Sequence, residues 1–350
     1  MIKIFSNLFF LFALGASLAA CKKTTQKNST NANDVSRIEF ELLDSIAAAL
    51  AINTDKVEDF FDRVEELEMS ILMKKSVSAS PNRATILKEF KEAQQAEVSS
   101  FAPSERVILN KVADSINVYL SNLSDQIEIP TITLIKLKGD LYGKSTFFTR
   151  QEGIFIPGAE IHEENIDAME SVFLHEIFHI ISRYNPDIRK KCYELIGFYP
   201  LAKVPTFPEN LQERMLHNPD GLNFEYGITL NWLKKEPIIA TPMIYVNSPD
   251  FKKERPEYFS YLQFDLFRVV EEEGSLKVIS KDPVGPEIPD DYYQSFFDQI
   301  KDNTQYIIHP DEIMADNFML ATFEKMGQTD LNLSNEGMEL IQKLQAIVFQ

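Results

Sequence analysis

The string His175-Glu176-Ile177-Phe178-His179 constrains this chain more than any other feature, because it reads H-E-x-x-H inside a segment with a helical pattern. Residues four apart lie on the same face of an α-helix, so the two imidazoles can reach one metal ion. The intervening glutamate can then face water at that ion and take its proton. Residues 166–184 contain no Gly or Pro, and Asn185-Pro186 predicts the end of the helix. The motif alone leaves one alternative open, two ordinary buried helix histidines.

The composition is typical of a globular protein with an acidic surface. The chain has 350 residues, of which 44% are hydrophobic and 26 are phenylalanine, enough to bury one large core or two modest ones. Lys and Arg number 35 against 53 Asp and Glu, which gives a formal net charge of −18. Nucleic-acid binding needs a basic surface, so this charge argues against a nucleic-acid partner.

The first residues predict an export signal. Lys3 gives a positive start, and residues 4–18 are apolar but too few for a comfortable membrane span. The string Leu18-Ala19-Ala20-Cys21 then places small residues before a cysteine. This pattern resembles the bacterial lipoprotein signal, which implies that residues 1–20 are a signal peptide and that Cys21 carries a lipid. A plain secretory signal and an uncleaved anchor are the alternatives.

The resemblance also implies where the protein works. Residues 21–36 are polar and read as a disordered tether. We therefore expect a protein of the bacterial cell envelope, anchored to a membrane outside the cytoplasm, on the periplasmic face or the cell surface. If Cys21 is lipidated, Cys192 is the remaining thiol and cannot form an intramolecular disulfide. We expect Cys192 to be buried and unreactive.

The hydrophobic pattern predicts an α+β fold that is mostly helical. Apolar recurrences of three and four residues predict a helical N-terminal region over residues 37–125. From residue 126 the pattern changes, and residues 129–137, 146–150 and 154–157 read as strands. We therefore expect a small sheet that leads directly into the H-E-x-x-H helix, within one domain that extends to residue 350.

A catalytic zinc ion needs a third protein ligand and an open position. The best candidate lies in residues 308–320, which read as a helix with Pro310 in its first turn. Glu312 and Asp316 are four apart, so one carboxylate can bind the ion while the other holds the far nitrogen of a ligating histidine. His217 is the alternative third ligand. An ordinary surface helix is the alternative interpretation of Glu312.

An H-E-x-x-H helix followed by an E-x-x-x-D helix resembles the gluzincins, the thermolysin-like zinc metallopeptidases. Longer strings around both helices resemble poorly characterised bacterial metallopeptidase lipoproteins. The resemblance implies a zincin-like domain over residues 126–350 and one Zn²⁺ per chain. It further assigns roles to five residues: zinc ligands His175, His179 and Glu312, general base Glu176, and Asp316 as the partner of His175. His179 lacks the G-x-x-H continuation of the metzincins.

The spacing of the two motifs departs from many gluzincins, because Glu312 lies 133 positions beyond His179. Residues 199–304 would form an insertion between the two metal-binding helices. Its sequence predicts a helical pair, a Pro-rich stretch and a hairpin over residues 269–279. We expect its aromatic segments to form one wall of the active-site cleft.

The resemblance implies hydrolysis of peptide or protein substrates. Tyr306 and His309 precede the glutamate helix and are the first candidates to donate a hydrogen bond to the oxyanion. An edge strand of the sheet would pair with the substrate main chain by β-augmentation. Two other functions remain open, a non-catalytic binding lipoprotein of zincin fold and a zinc hydrolase that acts on a non-peptide amide or ester.

Overall fold

The computed structural model describes most of the chain after the predicted leader. The predicted signal peptide, Cys21 and the predicted tether lie outside the described residues. The described ranges are 38–77, 82–220, 224–246, 248–328 and 331–350.

Helices contain 44% of the residues and strands contain 18%, so the expected α+β class is confirmed. The helices are α1 Ser45–Ala51, α2 Phe60–Arg63, α3 Glu66–Leu72, α4 Arg83–Glu97, α5 Pro103–Tyr119, α6 Ile166–Tyr184, α7 Pro186–Glu194, α8 Glu209–Gln212, α9 Tyr293–Ile300, α10 Pro310–Lys325 and α11 Asn335–Val348. The strands are β1 Phe40–Leu42, β2 Val98–Ser99, β3 Ile132–Leu137, β4 Phe148–Arg150, β5 Gly153–Pro157, β6 Phe198–Pro200, β7 Tyr226–Leu230, β8 Ile238–Val246, β9 Leu262–Glu272 and β10 Ser275–Ile279.

The sheet expected before the H-E-x-x-H helix is present, in the strand order β1-β3-β5-β4, with β2 beside β3. Strand β3 runs parallel to β1 and β5, whereas β4 is antiparallel to β5 and lies at the edge. Both faces of β3 are covered, because its side chains alternate between two cores. Ile132 and Leu134 join the core that contains α5 and α6, and Ile135 and Leu137 join the core of the N-terminal helices.

Residues 37–125, expected to be helical, therefore also supply two short strands to this sheet. Strands β1 and β2 have three and two residues. A strand of two or three residues is too short to show a period-two pattern, so neither strand could be predicted from the sequence.

Helix α6 is buried on nearly every side and packs along α10. Phe178 of α6 meets Phe318 of α10 with 5.6 Å between ring centroids. The helix ends at Tyr184 as expected, and Pro186 starts α7. Proline is tolerated there because the first helical turn leaves its N–H groups without intrahelical partners.

The insertion differs from its prediction. Helices α8 and α9 lie at opposite ends of it along the chain and do not form the expected pair. Strands β6 to β10 form an antiparallel sheet with the order β10-β9-β8-β7-β6. Strand β8 contains Pro242 in its middle, a residue that weakens any strand prediction because proline cannot donate to a ladder. The hairpin expected over residues 269–279 is confirmed as β9 and β10.

The end of β8 also directs a loop toward α6 and α10. Leu216 N donates to Ile244 O at 3.0 Å, and Val246 N donates to Arg214 O at 2.9 Å. Residues 217–220 continue from this point over α6 and α10. Within the described ranges, no helix is long and apolar enough to cross a membrane.

Candidate metal centre

The packing of α6 against α10 brings the three predicted ligands together. Nε2 of His175 lies 2.9 Å from Oε2 of Glu312, and Nε2 of His179 lies 3.4 Å from the same oxygen. The three residues are buried, and one candidate ligand atom from each lies within 4.8 Å of the others. These side chains could hold a metal ion.

Carboxylates orient both histidines through Nδ1, the ring nitrogen that does not face Glu312. Nδ1 of His175 meets Oδ1 of Asp316 at 2.8 Å, which is the contact expected from the sequence. Nδ1 of His179 meets Oδ2 of Asp311 at 2.7 Å, a contact that the sequence analysis missed. A carboxylate accepts, so each Nδ1 carries the proton and each Nε2 is directed toward Glu312. Asp311 is itself held by the hydroxyl of Tyr193 at 2.6 Å.

Glu176 lies beside His179. It is buried, and its Oε2 has no hydrogen-bond partner among the described residues. Glu176, His179 and Asp220 form a second buried group whose ligand atoms lie within 4.8 Å of one another. Burial and the neighbouring Asp220 raise the pKa of Glu176 to about 8. A buried carboxylate oxygen without a partner is costly, which is a mark of a site that acts on a ligand.

The carboxylates also control the protonation of the histidines. Burial lowers the pKa of His175, but its hydrogen bonds with Asp316 and Glu312 outweigh burial and raise that pKa to about 10. Burial likewise opposes the charge on His179, and the carboxylates of Asp220 and Glu312 raise its pKa well above the usual value. Burial favours protonation of Glu312, but the two histidines hold its pKa below the usual range. The carboxylates therefore stabilise the positively charged form of both imidazoles, and the imidazoles stabilise the negatively charged form of Glu312.

This donor set fits a divalent cation. Carboxylates outnumber imidazoles at the centre, and buried negative charge is costly unless a cation neutralises it. Tetrahedral zinc with bonds of about 2.0–2.1 Å would place neighbouring ligand atoms about 3.3 Å apart. The observed separations of 2.9 and 3.4 Å bracket that value. Nε2 of His179 also makes no hydrogen bond within the described part of the chain, as expected of an atom that is a metal ligand.

Tyr306 and His309 take different positions. The ring of Tyr306 lies parallel to that of His175, with 6.0 Å between centroids. Burial and then Glu312 raise the pKa of Tyr306 well above its usual value, so its hydroxyl stays protonated and can donate. His309 is the N-cap of α10, and its Nδ1 accepts from the N–H of Asp311 at 3.1 Å. The structure therefore gives His309 a capping role.

The alternative third ligand, His217, is held away from the centre. Its Nδ1 lies 2.9 Å from Oε2 of Glu68, and its backbone N–H also donates to that carboxylate. His217 is therefore not the third ligand that the sequence left open. Two of its neighbours do reach the centre, because Asn218 donates from Nδ2 to Oε1 of Glu312 and Asp220 lies beside Glu176.

Cys192 is fully buried, as expected. Burial, with a smaller effect of Asp311, raises the pKa of its thiol to about 12. The thiolate is the reactive form, so this cysteine is inert at neutral pH.

No protein-family model, curated protein or solved structure matches this chain. What the centre does must therefore follow from its own residues and their geometry.

Proposed function

We propose that this protein is a zinc-dependent peptidase of gluzincin type. The observation that carries the proposal is the convergence of His175, His179 and Glu312 from two helices, beside a buried Glu176 with an unpartnered oxygen. A structural metal site is closed by its ligands, whereas a catalytic site keeps a position for a reactant. The unpartnered carboxylate supports the catalytic type.

In this proposal His175, His179 and Glu312 hold one zinc ion, and Asp311 and Asp316 fix the two imidazoles. When bound, zinc would supply a Lewis acid that activates water and polarises the carbonyl to be attacked. Zinc is favoured over magnesium or calcium, because those ions prefer sites made of oxygen ligands whereas imidazole suits zinc.

Glu176 acts as the general base and then as the general acid. Its carboxylate accepts a proton from the attacking water and later delivers that proton to the amine nitrogen that leaves. One water is consumed, the C–N bond breaks, and a carboxylic acid and an amine are formed.

Tyr306 is the stronger of the two candidates for oxyanion stabilisation. Its protonated hydroxyl belongs to a ring that lies beside His175, whereas His309 caps α10. A donor placed where negative charge develops contributes only during the reaction, which is how such groups raise kcat.

Strand β4 is suited to bind the substrate main chain. It is an edge strand, antiparallel to β5, and it precedes α6. An extended peptide can add to such an edge through backbone hydrogen bonds, which recognise main chain rather than side chains. This supports a peptide as the substrate, ahead of a non-peptide amide or ester.

The substitution Glu176→Gln tests the proposal. Its side chain has nearly the same shape, so we expect the protein to keep its zinc and to lose turnover of a quenched fluorescent peptide library. Glu194→Gln is the matched control, because Glu194 is an exposed residue of the neighbouring helix α7. Retained turnover in Glu176→Gln would exclude Glu176 as the base. Hydrolysis of an ester library alone would favour the non-peptide hydrolase, and zinc binding without any turnover would favour the non-catalytic lipoprotein.

We also propose that a lipid on Cys21 tethers this centre outside the cytoplasm. Cys21 lies outside the described residues, so the proposal rests on the leader sequence alone. Metabolic labelling with a fatty acid should mark the wild-type chain and not Cys21→Ser. Equal labelling of both chains would contradict it.

A further inference from the structure

The candidate metal centre is covered by a short segment of the insertion. We call residues 216–220 the covering segment. Beneath it, His175 is 5% exposed, Glu176 1% and Glu312 0%, so a polypeptide substrate has no access to these side chains in this arrangement. A peptidase must admit an extended chain to its ion and its general base, so the covering segment would have to move.

The covering segment contacts the centre through two polar side chains. Asn218 donates to Oε1 of Glu312, the oxygen that does not face His175. The carboxylate of Asp220 lies with Glu176 and His179 in one group of candidate ligand atoms. Asp220 is therefore available to the ion as an additional ligand, on the side where Glu176 would meet water.

The same carboxylate also caps the edge strand. Oδ1 of Asp220 accepts from the backbone N–H of Thr149 at 2.6 Å and lies 3.1 Å from its hydroxyl. Thr149 is the middle residue of β4, which pairs with β5 on its other side. An outward N–H of an edge strand is where the carbonyl of an added peptide would bind. Asp220 therefore lies at both positions where a substrate would bind, beside the candidate metal position and at the edge of β4.

Buried polar contacts hold the covering segment in place. Nη2 of Arg183 donates to the carbonyl of Asp220 at 2.7 Å, and the hydroxyl of Tyr258 donates to the carbonyl of His217 at 2.9 Å. Glu68 accepts from the backbone N–H of His217 and pairs with its imidazole. The backbone groups of a substrate could form several of these hydrogen bonds in place of the covering segment. They could not replace apolar packing in the same way.

We propose that the covering segment is a built-in competitor of the substrate, with Asp220 in the position that the substrate main chain takes when it binds. This inference rests on the proposed function, because it assumes that an extended chain binds along β4. The described arrangement is then the closed form of the enzyme, and the covering segment withdraws when a peptide binds. A ligand that needs a less populated open form binds with an affinity reduced by the fraction that is open.

Binding of a dipeptide hydroxamate to the zinc-loaded full chain tests the inference without a turnover measurement. We expect Asp220→Ala to bind this probe about tenfold more tightly than wild type, because an open form of a few per cent would become dominant. Asp250→Ala is the matched control, an exposed aspartate of the same insertion that should leave affinity unchanged. Affinity equal to wild type, or weaker, in Asp220→Ala would overturn the inference.

A second variant keeps the test decisive if Asp220→Ala does not fold. Asp220→Asn retains an oxygen that can accept from Thr149 but loses the negative charge beside Glu176, so we expect tighter hydroxamate binding, by a smaller factor. Cobalt(II) substituted for zinc gives an independent reading, since loss of a carboxylate ligand changes the visible absorption of the bound cobalt in Asp220→Asn. An unchanged spectrum together with unchanged affinity would refute the role of Asp220.

The outcome separates the inference from the proposed function. Tighter hydroxamate binding in the variants, with no peptide or ester hydrolysed by any of them, would uphold the competitor and reject the peptidase. Peptide hydrolysis by wild type, with hydroxamate affinity unaffected by either substitution, would uphold the peptidase and reject the competitor.

Discussion

Asp311 and His179 are joined by a 2.7 Å contact between Oδ2 and Nδ1, although 132 positions separate them in the chain. Asp311 directly precedes Glu312, so the first turn of α10 supplies both a candidate ligand and the group that orients a histidine. Asp316, one turn later, holds the other histidine. The packing of α6 against α10 therefore aligns the candidate ligands, and alignment of this kind favours tight and specific metal binding.

Loss of charge at Asp316 should weaken metal binding. We expect Asp316→Asn to reduce zinc affinity about 10–100-fold, because a carboxylate behind a ligating histidine raises its basicity and fixes its orientation. Competition with a fluorescent zinc chelator measures the affinity. Asp298→Asn, at an exposed position on α9, is the control. Equal affinity in the two variants would show that Asp316 does not support the ligand.

The metal-free protein should lose stability as the pH rises above neutrality. His175 has a folded-state pKa of about 10 against an ordinary value of 6.5, so its bound proton stabilises the fold fully below pH 6.5 and is lost toward pH 10. Glu176, raised from 4.5 to about 8, has the same sign, because its buried neutral form is lost as the pH passes 8. Thermal unfolding in chelator should show a lower Tm at pH 9 than at pH 6.5. A higher Tm at pH 9 would contradict these protonation states.

Zinc binding should release protons at pH 7. In the metal-free protein the pKa of His175 is raised to about 10, and the carboxylates of Asp220 and Glu312 raise that of His179 well above its usual value. The protonated imidazoles must lose a proton before they can bind an ion. Titration calorimetry in buffers of different ionisation enthalpy should give about two protons released per zinc. A heat of binding that does not depend on the buffer would show that the histidines are already neutral.

Removal of the Tyr306 hydroxyl should slow turnover and spare the metal. We expect Tyr306→Phe to lower kcat about 100-fold, the loss typical of a single oxyanion donor, with zinc affinity unchanged. Tyr199→Phe is the control, because that hydroxyl pairs with Thr229 in the insertion sheet. A kcat equal to that of wild type would remove Tyr306 from the reaction.

Substitution of His309 should distinguish a cap from a catalytic group. Asparagine is a good N-cap, so His309→Asn should retain most of the stability and the activity, whereas His309→Ala should lose about 1 kcal/mol of unfolding free energy. Urea unfolding together with peptide hydrolysis gives both readings. A His309→Asn protein that is stable yet inactive would assign His309 to the reaction.

Helices α6 and α10 could be predicted because their signals are local. Helix α6 shows its length and its end at Asn185-Pro186, and α10 shows a proline and acidic residues in its first turn. The spacing of four between Glu312 and Asp316 places both on one face. These local patterns account for the three candidate ligands, the candidate base and one of the two orienting carboxylates.

The remaining groups depend on packing that a sequence pattern does not encode. Asp311 lies about 100° around the helix from Glu312, and it faces His179 only because of the way in which α10 lies against α6. Asp220 belongs to a loop without periodicity, and its place depends on contacts with distant residues such as Arg183 and Thr149. The insertion sheet was missed for a related reason, since its pairing is non-local and β8 contains a proline.

The most direct test of the metal centre is the zinc content of the purified full chain, measured for wild type, His175→Ala and Glu312→Ala after dialysis against a weak chelator. We expect one zinc per wild-type chain, and loss of bound zinc in both variants with the fold retained by circular dichroism. Full retention of zinc in Glu312→Ala, with loss in His175→Ala, would contradict the three-residue centre and remove Glu312 from it.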